Sequence, residues 1–390
     1  MRVLLAPDKF RGTLTGLQAA RSMAAGVARA VPGAEVDVRP IADGGEGFLD
    51  AVATAVGARV REVVVADAAG LPRTARLAVH GTDAYVESAD GIGLHHRDPS
   101  PHTAVDGDSG AVGELMLAAL DAGARRIVVG IGGTSTSDGG TGLLRALGAR
   151  FRDGQGRELP RGARHLAELA SVDLVLDRRL AGCEVVCAHD VDVPLLGPRG
   201  AARSFGPQKG ADHAAVELLE AGLGRLVEVV RDQHGTDLDA APGAGAGGGL
   251  GAALAGVLGA STRPGADLVL DLIGLDDAVG RADLVLTGEG SFDEQSLQGK
   301  GPWAVATRAR AAGVAVIVLC GRQSLGDAAS RLGLARLVAL ADVDARPQTG
   351  TAAKLSALTA ATLTAHLADR TARDREVSAP TNEGCRGAPG

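Results

Sequence analysis

Aromatic side chains are nearly missing from this chain: five Phe, one Tyr and one Trp make up 2% of its 390 residues. Binding of single-stranded nucleic acid relies on successive aromatic faces, so that mode is not expected. Attraction to a phosphate backbone by bulk charge is not expected either. The 40 basic residues are outnumbered by 47 acidic ones, giving a net charge of −7, where such binding needs a basic face. No run of 18 apolar residues occurs, which argues against a membrane-spanning helix. The opening MRVLLAPDKF has too short an apolar core for a secretion signal before it reaches Asp8. Cysteine is scarce as well. Cys183 and Cys187 fall on one expected strand, where four steps of about 3.3 Å hold them too far apart for a disulfide. Cys320 and Cys385 complete no metal spacing. A reduced, cytoplasmic protein, monomer or homodimer, with neither a nucleic-acid nor a membrane partner, is the expectation.

Lysine is almost replaced by arginine. Only Lys9, Lys209, Lys300 and Lys354 occur, and the first three lie in Gly-rich or Pro-flanked loops. A compact ammonium on a flexible stem suits a phosphate as a point charge.

What is present in abundance is Ala, Val, Leu and Gly, arranged as short apolar strands that end in small polar loops. Arg125 to Arg150 shows the plan. Ile127-Val128-Val129 reads as a strand buried on both faces. It breaks into Gly132-Gly133, the hydroxyls Thr134 to Ser137, Asp138 and Gly139-Gly140, and then resumes with Leu143, Leu144 and Leu147 at helical spacing. A loop of this kind at a helix start offers backbone N–H groups to an anion. Strand, loop and helix alternate in the first 60 residues and again after 280, while three closely spaced strands near 60–88 suggest a mixed portion.

The expected fold is α/β, with two dissimilar α/β domains. Residues 1–80 plus 281–368 make one domain, with a parallel sheet covered by helices on both faces. Residues 81–280 make an inserted second α/β domain, the active site lies in the cleft between them, and 369–390 form a disordered tail. A strand is also expected at 267–271, helices at 252–259 and 325–332, and a polar, loop-rich stretch at 90–110.

Ligands in such sheets bind beyond the carboxyl ends of the strands. Five of these ends carry polar loops: 7–13, 43–47, 132–140, 189–194 and 287–293. Known phosphate signatures are absent. No G-x-x-x-x-G-K-[ST] occurs, and Gly243, Gly245 and Gly248 match G-x-G-x-x-G without the strand that a dinucleotide site requires. That glycine loop, with Gly247, instead reads as an anion site opening the next helix. Asp8, Asp43, Glu46, Asp138, Asp190, Asp192, Glu289 and Asp293 are the carboxylates available for metal or base chemistry, with helix capping as the alternative, clearest at Asp138. His95, His96 and His189 show no ligand spacing and read as structural. The residues by themselves describe a cleft for a small phosphorylated ligand and leave the substrate open.

At these same loops the chain resembles the bacterial glycerate kinase family that phosphorylates the 2-hydroxyl of D-glycerate. LLAPDKFRGTL, PIADGGEG, VVGIGGTSTSDGGTGLLRALGA, HDVDVPLLGPRGAARSFGPQKGA, PGAGAGGGLGAAL and LVLTGEGSFDEQSLQGKGP occur in the family's order. It departs at Lys9 and Arg11, at 189–193, at Ser291 and at 108–113. The resemblance implies a flavodoxin-like domain beside a dissimilar α/β domain, ATP and Mg²⁺ as co-substrate and cofactor, and 2-phosphoglycerate as product. The roles then expected are as follows. Gly132, Gly133, Thr134, Ser135, Asp138, Gly245, Gly247 and Gly248 hold ATP; Asp8, Lys9, Arg11 and Ser291 hold D-glycerate. Asp43 and Glu46 serve the metal, while Lys209 with Asp190 or Asp293 is catalytic. A kinase for a related hydroxy acid, a glycerate 3-kinase or a non-catalytic sensor of small acids remain the alternatives.

Overall fold

The computed structural model describes residues 1–294, 296–298, 301–326, 331–344, 346 and 348–378. The strands run in chain order as β1 Arg2–Leu5, β2 Glu35–Val38, β3 Arg59–Ala66, β4 Pro72–His80, β5 Asp83–Glu87, β6 Arg126–Gly130, β7 Arg150–Asp153, β8 Leu169–Asp173, β9 Glu184–His189, β10 Ser261–Pro264, β11 Leu284–Thr287, β12 Ser291–Phe292, β13 Ala315–Cys320, β14 Arg322–Gln323 and β15 Arg336–Ala339. The helices are α1 Gly16–Ala30, α2 Phe48–Val56, α3 Ser88–Ile92, α4 Pro101–Asp106, α5 Gly110–Asp121, α6 Thr141–Ala146, α7 Ala201–Phe205, α8 His213–His234, α9 Gly265–Leu272, α10 Leu275–Gly280, α11 Gly301–Ala311 and α12 Thr351–Ser378.

Two sheets carry the fold. One has the order β15-β13-β11-β1-β2 and is parallel throughout. Counted along the chain within this sheet, that is the 2-1-3-4-5 order of flavodoxin-like folds, with its reversal between β1 and β11. The other has the order β10-β9-β6-β5-β4-β3, parallel from β10 to β5 and antiparallel from β5 through β3.

Period-two alternation sorts the strand residues into three cores. Val3 and Leu5 of β1, Leu284 and Leu286 of β11, and Ile317 and Leu319 of β13 pack against α1 and α12. Their alternates Leu4, Val285, Val316 and Val318 face a layer made by α2, α9, α10 and α11. The far side of that layer meets Ala78, Tyr85, Val128 and Val186 of the second sheet, where Phe48 and Tyr85 make an edge contact at 6.5 Å between ring centres. Ile127, Val129, Val185 and Cys187 point the other way, onto α5 and α8. Helices therefore cover both faces of both sheets, and one helical layer is shared between them.

Four expectations differ from what is observed. The segment 59–80, assigned by sequence to the terminal unit, forms β3 and β4 of the six-stranded sheet, because a short turn lets β4 pair directly with β5. The apolar run at 267–271 lies in α9, not a strand. It is buried on the side facing both sheets, and a short buried run has no periodicity to tell helix from strand. Residues 90–110, read as loop, contain α3's end and α4, the latter capped by Ser100. The expected tail begins too early, since α12 continues to Ser378. The expected 325–332 helix falls partly on 327–330, and Lys300 and residues 379–390 likewise lie outside the described residues.

Candidate active site

The carboxyl ends of β1, β2, β6, β9 and β11 converge on one cleft with two lobes. The first lobe, about 520 Å³, is bounded by Gly132 to Thr134, His189 and Asp190, Lys209, and Ala246 to Gly248. The second, about 580 Å³, is bounded by Asp8, Glu289, Ser291, Asp293 and Arg322. Lys9, Arg11 and Asp43 belong to both and form the neck between them.

The first lobe exists because glycines let backbones approach where no side chain would fit. A Cβ on Gly132 would stand 2.7 Å from Gly45 Cα, so the loops after β6 and β2 touch directly. Gly248, with φ of 71°, would drive a Cβ to 2.0 Å from the Thr136 carbonyl and 2.8 Å from Lys209 Nζ. Lys209 is buried at the back of this lobe, and its ammonium donates to the Thr136 carbonyl. Burial pulls it down to about 8, with the Asp138 charge acting in the opposite sense.

The expected nucleotide loop divides in two. Gly132, Gly133 and Thr134 line the cleft, whereas Ser135 turns inward and donates to the Ile92 carbonyl at 3.0 Å. Asp138 is also turned inward. Its carboxylate accepts from Ser109 Oγ at 2.8 Å, from the N–H groups of Ser109 and Gly142 at 3.0 and 2.9 Å, and from Gly140 at 3.2 Å. Burial, then the neighbouring Asp108 charge, pushes Asp138 up to about 6. Its place is the helix start rather than the cavity wall. Gly247 and Gly248 line the cleft, but Gly245 lies behind it, donating to the Val193 carbonyl at 2.8 Å.

In the neck, Lys9 Nζ lies 3.5 Å from Asp43 Oδ1 and donates to the Glu46 carbonyl at 3.1 Å. Burial works against both charges of this pair. Asp8 and Asp43 nonetheless raise Lys9, and Lys9 with the Gly45 N–H lowers Asp43. Glu46 borders the same wall. Among the described residues, no three His, Cys, Asp or Glu side chains gather where they could hold a metal. The Asp43–Glu46 wall by itself is therefore too small a donor set for an all-protein cage.

In the second lobe Asp8 is buried, accepts from the Lys9 N–H at 2.6 Å, and is pushed up to about 6 chiefly by burial. Ser291 Oγ accepts from Arg322 Nε at 3.2 Å. Asp293 Oδ1 accepts from the Ser296 N–H at 3.3 Å. Asp190 stands in the other lobe and accepts from the Ala266 N–H at 3.2 Å.

Sequence reasoning left several wall residues without a role. His189 and His95, read as structural, both line the first lobe, and the His189 ring nitrogens have no hydrogen-bond partner among the described residues. The Gly93–Thr134 bridge brings His95 there, a long-range contact without a local signal. Arg322, Gln348 and Thr351 reach the second lobe from β14 and from the start of α12, again through packing alone. Glu289 was visible as an acid between two glycines after an apolar strand, but only the sheet order shows that it faces Asp8's turn.

Glycine turns around a buried lysine, opening onto a lobe of carboxylates and arginines, fit a phosphotransferase acting on a small molecule. Residues 3–372 match the model of the glycerate kinase family. The chain is 39% identical over 324 residues to the glycerate kinase of Bacillus subtilis, covering 82% of this chain and 85% of that one. It is 38% identical over 318 residues to the glycerate 2-kinase of Escherichia coli, with coverage of 80% and 82%. A crystal structure from Salmonella typhimurium, assigned as a glycerate kinase 2, superposes with a TM-score of 0.81 at 34% identity, covering 95% of this chain and 99% of that one. The chain belongs to the glycerate kinase family and is a kinase. No helix among the described residues is long and apolar enough to cross a membrane.

Proposed function

We propose that the protein transfers the γ-phosphoryl group of ATP to the 2-hydroxyl of D-glycerate, giving 2-phosphoglycerate and ADP. The triphosphate lies in the first lobe, where the turns of Gly132 to Thr134 and of Gly247 and Gly248 surround it and Lys209 supplies a cation from behind. Glycerate occupies the second lobe with its carboxylate toward Arg11 and Lys9, so the transferred group crosses the neck. Phosphoryl transfer proceeds through a loose transition state, in which positioning and charge stabilisation do most of the work.

The observation that carries this reading is the neck: two lobes of similar size share Lys9, Arg11 and Asp43, so a ligand in one meets a ligand in the other at a cationic wall. Mg²⁺ keeps most of its waters and takes one or two carboxylates plus substrate phosphates. A wall offering Asp43 and Glu46 fits an ion that would arrive with the nucleotide and would neutralise charge on the phosphate oxygens.

Kinetic assay with ATP and a panel of hydroxy acids, following ADP, tests this. D-glycerate should give the highest kcat/KM. Preference for another acid would reassign the substrate, and tight binding with no ADP formed would make the protein a sensor.

A further inference from the structure

The turns after β1 and β11 meet at the reversal of strand order in the five-stranded sheet, and they are tied together there. The Asp8 N–H donates to the Gly288 carbonyl at 2.8 Å, and the Thr287 hydroxyl donates to the Ala6 carbonyl at 2.6 Å. Gly290 is so near the β1 turn that an added Cβ would stand 3.2 Å from Arg11 N and 3.3 Å from Phe10 Cα. This interlock puts two carboxylates, Asp8 and Glu289, in one wall of the second lobe. Glu289 Oε1 is buried and has no hydrogen-bond partner among the described residues. A buried acceptor is costly to leave without a donor, and a substrate hydroxyl supplies the missing one.

Resting on the kinase reading above, we propose that Glu289 takes the proton of the attacking hydroxyl and that Asp8 is the positioning residue beside it. The hydroxyl oxygen bonds to the γ-phosphorus as the bond from that phosphorus to the bridging oxygen breaks. The hydroxyl proton passes to Glu289, ADP leaves with the bridging oxygen, and Glu289 later returns the proton to water.

The surroundings suit the task. Burial pushes Glu289 up to about 7; the Ser296 hydroxyl and Arg11 oppose this, while the Asp8 and Asp293 charges add to it. Behind it, the Cys320 thiol is itself raised by burial and by Glu289. Arg322 lines the lobe, and Lys9 and Asp43 stand at the neck. A base is most effective when its pKa lies near the working pH. Asp293 and Asp190 are less suited, because each has an oxygen engaged as a backbone cap and Asp190 stands in the other lobe.

The test uses the full chain with ATP and D-glycerate, resolving kcat and KM between about pH 5 and 9. E289Q has the same size but cannot accept the proton. Its kcat should fall by about 10² or more while KM changes less than about threefold. Wild-type kcat should decline below about pH 7 as one proton is added. D8N removes a negative neighbour, eases ionisation of Glu289, and should shift that decline to lower pH. An E289Q enzyme with wild-type kcat, or a D8N profile that does not move, overturns the assignment. If E289Q shows no cooperative thermal transition, the D8N profile decides. A wild type that phosphorylates no hydroxy acid removes the kinase reading and this assignment with it, whereas an active wild type beside an equally active E289Q removes only the assignment.

Discussion

Lys9 Nζ lies 3.5 Å from Asp43 Oδ1, joining the turn after the first strand to the turn after the second. The pair closes the neck of the cleft, and its removal should be felt there. Lys9→Met leaves the Asp43 carboxylate without its cation and should cost about 1–3 kcal/mol of stability. In a double-mutant cycle, Lys9→Met with Asp43→Asn should cost less than the sum of the single changes. Unfolding by denaturant checks this, and strictly additive losses would show that the contact contributes nothing.

Lys209 is the cation within the first lobe, buried against the Thr136 carbonyl. Lys209→Ala should reduce kcat by about 10² or more, the scale of losing one group that stabilises charge in the transition state. A variant that folds normally and turns over at the wild-type rate would remove Lys209 from the chemistry.

Two glycines separate steric need from flexibility. Gly248→Ala meets the Thr136 carbonyl at 2.0 Å with φ at 71°, and it should abolish nucleotide binding while destabilising the fold by more than about 1 kcal/mol. Gly224 lies inside the long helix α8, His213–His234, with nothing within 4 Å of an added Cβ. Gly224→Ala should therefore stabilise by about 0.5–1 kcal/mol. Thermal melts of the two variants should move in opposite directions.

These assignments were unevenly visible in the sequence. Apolar runs such as Ile127-Val128-Val129 announced buried parallel strands, and the polar turns behind them announced the cleft, because both signals are local. Asp138 shows the limit. A carboxylate before two glycines looks the same whether it meets a phosphate or the N–H groups of its own loop, and here it meets the latter. The segment 267–271 shows another: Leu268-Val269-Leu270 is buried whichever structure it adopts, and only the layer between two sheets makes it a helix. Arg322 and Thr351 enter the second lobe through packing between distant elements, which no sequence window contains.

Glu87 gives a pH prediction of definite sign. It is buried and accepts the N–H groups of Gly47 and Leu49 at the start of α2, yet burial raises its carboxyl from 4.5 to about 7. Between those values the folded chain binds the proton more strongly than the unfolded chain, so this group's contribution to stability declines as pH rises through the window and levels off above about 7. Glu87→Gln cannot titrate. Relative to that variant, the wild type should lose stability with rising pH, by at most about 1.4 kcal/mol per pH unit. A constant difference across the window would contradict the burial argument.

The central claim concerns which hydroxyl receives the phosphate. The enzyme is incubated with ATP, Mg²⁺ and D-glycerate, and the product is passed to enolase with no phosphoglycerate mutase present. Direct appearance of phosphoenolpyruvate is the predicted result, since enolase acts on the 2-phosphate. Phosphoenolpyruvate that appears only after mutase is added would contradict the account, and so would a failure to form ADP with glycerate.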